Sequence, residues 1–156
     1  MNFEKSYTWE EIKKFLFKEL EKTEHILTFC TIGSCDINTD IDVIITKKPK
    51  SSTSNFYKEV HYIFNNLNIY LKRKYKSRAF RFATNKIESL KLFGFEKKDI
   101  AFHTMIYTSY PQIKKDWGWY LFKNEKLNDI LKSGDYLIGS IDNLFSKDFQ
   151  MPKYYD

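Results

Sequence analysis

The chain has 156 residues, 42% of them apolar and 18% aromatic, which is material for one packed core with room for a small appendage. Its net charge of +6 favours a polyanionic partner. No apolar run reaches the ~20 residues that span a bilayer, and Met1-Asn2-Phe3-Glu4-Lys5 lacks the pattern of a signal peptide. A soluble intracellular protein that does not contact membranes is therefore expected, with Cys30 and Cys35 reduced because neither has a zinc-spaced partner.

The first predicted element is a helix capped by Ser6 or Thr8, with Trp9, Ile12, Phe15, Leu16 and Leu20 at helical spacing. A strand follows at Ile26–Ile32 and ends at Gly33-Ser34. After a short turn a second strand runs from Asp40 to Thr46. Asp40 and Asp42 project from one face of it, while Val43-Ile44-Ile45 makes the strand apolar on both faces. Two like charges on a buried strand repel each other and resist desolvation, so a cation between them is the reading that explains their placement. Magnesium, or manganese in its place, suits such carboxylates and the phosphate oxygens of a substrate.

Beyond a polar loop, Phe56, Val60, Ile63, Phe64 and Leu67 form the stripe of a second helix, expected over 56–67. Further strands are expected at about 69–75, 79–83, 87–95 and 100–108, with a hairpin turn at Gly94–Lys98 joining the last two. Lys72, Arg73, Lys74, Lys76, Arg78 and Arg81 are interleaved with aromatics, a composition suited to phosphates and stacked bases; Lys114 and Lys115 add to it. After Pro111 the texture changes to alternating aromatic, glycine and polar residues, including Trp117 and Trp119, whose expected role is packing, with stacking on a nucleotide or DNA base as the alternative. The chain is divided accordingly into 1–110 and a small C-terminal subdomain, 111–156. Helices alternating with a mixed sheet give the class α+β.

Gly33-Ser34, a short link, then Asp40-Ile41-Asp42-Val43-Ile44-Ile45 after a helix and a strand, resembles the DNA polymerase beta nucleotidyltransferase superfamily. Within it the chain is most similar to family X DNA polymerases, here reduced to palm and thumb. Tyr120-Leu121-Phe122, Gly139–Phe145 and Met151-Pro152 resemble the family's thumb. The resemblance implies a palm with a mixed sheet, a thumb-like C-terminal piece, and two-metal transfer of a nucleoside monophosphate from a nucleoside triphosphate to a nucleic-acid 3′ hydroxyl, in DNA repair. The sequence does not fix the oligomeric state, and a monomer is the expectation. Gly33 and Ser34 are then expected at the triphosphate. Asp40 and Asp42 are the catalytic metal ligands, with Asp99 as the third acid. His103, on the same face as Asp99 by period-two counting, is the alternative third ligand, and would weaken magnesium binding; Glu88 is a more distant choice. The link carries Asp36 where the family has basic residues. Two other functions use the same residues: a small nucleotidyltransferase that modifies a protein, a small molecule or RNA, and a non-catalytic nucleic-acid-binding palm.

Overall fold

A computed structural model describes residues 5–33, 35–83, 87–108 and 132–140. The order of elements is α1 (Trp9–Glu21), β1 (Ile26–Ile32), β2 (Asp40–Lys47), α2 (Thr53–Tyr75), β3 (Ala79–Phe82), α3 (Ile87–Lys91), β4 (Ile100–Tyr107) and β5 (Asp135–Ile138). The strands form one five-stranded sheet in the order β3-β4-β2-β1-β5. β1 is antiparallel to β2 and β5, whereas β4 is parallel to both β2 and β3, so the sheet is mixed and the class is α+β.

Sequence periodicity accounts for how the layers meet. Thr8 caps α1 by accepting from the Glu11 N–H, and Ser52 caps α2 by accepting from the Asn55 N–H. Ile12, Leu16 and Leu20 of α1 join Phe56, Val60, Ile63, Phe64, Leu67 and Leu71 of α2 in a single core. That core rests on the odd-numbered face of β2, Ile41, Val43 and Ile45, with Phe29 of β1 and Phe102 of β4 beside it. Alternation along the strand therefore turns Asp40 and Asp42 to the face opposite these two helices.

Three expectations are corrected here. Residues 69–75 belong to α2, because the apolar stripe continues in helical step to Leu71, which is fully buried, and Tyr70 stacks on Phe15 of α1 with centroids 4.7 Å apart. Residues 87–95 are a single helical turn, α3, followed by a tight turn through Gly94 at φ +86°. The Gly94–Lys98 turn accordingly joins a helix to a strand, and no hairpin forms, since β4 pairs in parallel with β2 and β3.

Within the segment assigned to the C-terminal subdomain, Asp135–Ile138 pairs with β1 as an edge strand of the main sheet, and Asp135 forms an ion pair with Lys13 of α1 at 2.5 Å. Trp117, Trp119, Tyr120–Phe122 and Ile141–Pro152 lie outside the described residues, as do Ser34, Lys114 and Lys115. Among the described residues no helix is long and apolar enough to cross a membrane.

Candidate metal centre

β2 and β4 run side by side with Asp40 opposite Ala101 and Asp42 opposite His103. Side chains in register on neighbouring strands point to the same face, so the imidazole stands beside the carboxylate. His103 Nδ1 lies 2.9 Å from Asp42 Oδ1, and a carboxylate can only accept, so the ring nitrogen donates. Asp40, Asp42 and His103 each offer a ligand atom within 4.8 Å of the others, and among the described residues no other such trio of acids, histidines and cysteines occurs. The side chains of Asp42 and His103 are 38% and 17% exposed, so the trio is half-buried yet open to a ligand.

The ring of His103 is held from the side. Phe82, its register partner on β3, stacks on the imidazole with centroids 5.4 Å apart and planes at 22°. The aromatic content of the basic segment was visible in the sequence, but this contact depends on the parallel pairing of β3 with β4, which no local pattern specifies.

Asp99 occupies a different environment. It is fully buried at the entrance to β4, where its carboxylate accepts from the backbone N–H groups of Arg78 and Glu96, both at 2.8 Å, and from the Arg78 guanidinium at 3.3 Å. These bonds tie the segment before β3 to the turn before β4. Asp99 is thus engaged as a brace, and the residue brought together with Asp40 and Asp42 is His103. Glu88, on α3, is exposed and stands outside the trio.

Gly33 follows Ile32, which pairs with Asp42, so the turn after β1 opens at the acid-bearing end of the sheet. Its φ of +82° is a left-handed conformation that favours glycine, and among the described residues a Cβ there would meet nothing within 4 Å.

The basic residues divide by environment. Lys72, Arg73 and Lys74 form the last turn of α2, and Lys76 caps it in the left-handed conformation at φ +54°. Lys74 lies over the rings of Tyr70 and Tyr75, at 5.6 and 5.2 Å, and hydrogen bonding to their hydroxyls holds its ammonium above the usual lysine range. Arg78 is engaged with Asp99 and the Gly94 carbonyl. Arg81 sits 5.8 Å from the Phe64 ring, and partial burial lowers its affinity for a proton. Arg81 is nonetheless exposed on β3, and Lys72, Arg73, Lys74 and Lys76 are exposed cations at one helix end. That end leads directly into β3, which runs parallel to β4 and hence to β2, so it lies toward the start of β2 where the acids are.

No protein-family model matches the chain, and comparisons with curated proteins and with solved structures likewise give no match.

Proposed function

We propose that the chain is a metal-dependent nucleotidyltransferase built on a palm-like sheet, which transfers a nucleoside monophosphate from a nucleoside triphosphate to the 3′ hydroxyl of a nucleic acid, DNA under repair. The observation that carries this reading is the Asp40–Asp42 pair on one face of a core strand, joined by His103 from the adjacent strand. Two half-exposed carboxylates on one rung with an imidazole beside them converge on one point, and a cation held there next to the Gly33 turn is suited to phosphate oxygens.

A divalent ion bound there supplies neutralisation of phosphate charge and polarisation of the phosphorus centre. The donor set fits one such ion: Asp40, Asp42 and His103 hold it, and Phe82 keeps the imidazole facing the carboxylates. The Gly33 backbone gives the triphosphate a close approach. Lys72, Arg73 and Lys76 provide sequence-independent contacts to a nucleic-acid backbone at the same end of the sheet.

The test is transfer of label from an α-labelled nucleoside triphosphate, with gapped DNA, RNA and casein as alternative acceptors. Label on the DNA primer end that disappears in D42A is the expected outcome. Label only on RNA or protein changes the acceptor and keeps the chemistry. Salt-sensitive DNA binding with no transfer to any acceptor rejects the enzyme and leaves a nucleic-acid-binding palm.

A further inference from the structure

We infer that the Asp40–Asp42–His103 centre holds a single ion of the imidazole-accepting first-row class, manganese or zinc, in preference to magnesium. The inference rests on the metal-holding role proposed above, and goes further by fixing the number and the kind of ion.

The number follows from charge and spacing. A pair of ions about 3.5–4 Å apart requires bridging carboxylates and enough negative charge to offset two dications. Here the third position, which would supply that charge, is an imidazole in register with Asp42, and Asp99 is held by Arg78 and the backbone of Glu96. Adjacent ligands on one ion with bonds of about 2.1 Å lie about 3 Å apart and opposed ones about 4.2 Å. The 2.9 Å between His103 Nδ1 and Asp42 Oδ1 is a hydrogen bond whose proton the ion would displace, and the ligand atoms of the trio all lie within 4.8 Å of one another, compact enough to share one ion.

The kind of ion follows from the donors. Magnesium takes oxygen ligands and releases its hydration water reluctantly, so a nitrogen in the coordination shell works against it. Imidazole favours zinc and its neighbours, while two carboxylates also suit manganese. The stacking of Phe82 on His103 fixes the ring as a ligand and raises the cost of swinging it aside to admit a water-rich ion.

The decisive experiment is calorimetric titration of the chelator-treated full chain with Zn²⁺, Mn²⁺ and Mg²⁺, together with visible spectra of the Co²⁺ form. One ion per chain is expected, with Zn²⁺ or Mn²⁺ bound at least about tenfold more tightly than Mg²⁺. H103A and H103N should lose about tenfold or more of that affinity and change the cobalt band. H103D, which restores a third carboxylate, should gain Mg²⁺ affinity, a change that a purely structural histidine would not produce. The absence of a thiolate charge-transfer band separates this centre from binding at Cys30 or Cys35. Two ions per chain, equal affinity for Mg²⁺, or unaltered binding in H103A in a protein with native circular dichroism overturns the inference. Nucleotide transfer that runs equally on Mg²⁺ in wild type and H103A also overturns it, while leaving the transferase reading standing. Selective binding through His103 without any nucleotide transfer upholds the inference and rejects the transferase.

Discussion

Asp42 and His103 face each other across the parallel β2–β4 ladder, with the carboxylate oxygen 2.9 Å from the ring nitrogen. The contact is made between adjacent core strands but on the sheet face away from α1 and α2, so the site can be altered without disturbing the packed layer. D42N tests this separation. It should lower metal affinity and nucleotide transfer by at least about a hundredfold. Its melting temperature should stay level or rise slightly, because one of two repelling carboxylates is neutralised. Calorimetric metal titration, the transfer assay and thermal denaturation of the same preparation report the three quantities.

Asp99 should behave in the opposite way. D99A removes the acceptor for two backbone N–H groups and the partner of Arg78, whose side chain is 34% exposed. Loss of stability by about 3 kcal/mol is expected in urea denaturation. Metal affinity at low temperature should be nearly unchanged, since the carboxylate is engaged elsewhere.

The contrast between these two aspartates marks where the sequence stops being informative. Residue parity puts Asp99, Ala101 and His103 on one face, and nothing local decides which of them meets Asp42. The register of β4 against β2 decides it, and register is a property of the whole sheet. α1, β1, β2 and β4 were legible because each carries a full period of its own, either a helical stripe or an apolar run bounded by turns. The segment Ile69-Tyr70-Leu71 is helical although isoleucine and tyrosine favour strands, because its position continues the stripe of α2 and packing against Phe15 prevails over propensity. The strand expected at 87–95 does not form, and Leu92 and Phe93, just after α3, are 86% and 72% exposed. The parallel pairing of β3 with β4 has no local signature.

Alkaline pH should destabilise the fold. Burial, reinforced by the negative charge of Asp135, pushes the Cys30 thiol up to about 12 from an ordinary 9.0. Burial also raises the phenols of Tyr7 and Tyr136 above their ordinary value. Between the ordinary and the raised values the folded chain keeps protons that the unfolded chain has released. This contribution is therefore complete below about pH 9 and is lost as pH climbs toward 12. Urea midpoints should fall between pH 8.5 and 11, as about that range brackets the thiol's unfolded titration, and C30A should flatten part of the decline. A midpoint independent of pH over this range would contradict the burial of these groups.

Lys76 holds a left-handed backbone at φ +54° while closing the C-terminal end of α2. Glycine adopts that conformation without the Cβ penalty, so K76G should stabilise the protein by about 0.5–1 kcal/mol. The same change removes one exposed cation from the basic helix end. The slope of log binding constant against log salt for DNA should therefore become shallower by about one ion. Urea denaturation and binding at several salt concentrations check the two effects independently.

Because β2 sends alternate residues to opposite sides, the strand encodes its interior and its chemistry in a single phase. A slip of one position against β1 and β4 would push both aspartates under the helices and turn Ile41, Val43 and Ile45 out of the core. The carboxylates that stand beside His103 and the residues that fill the interior therefore share one alignment, and an error in one is an error in the other.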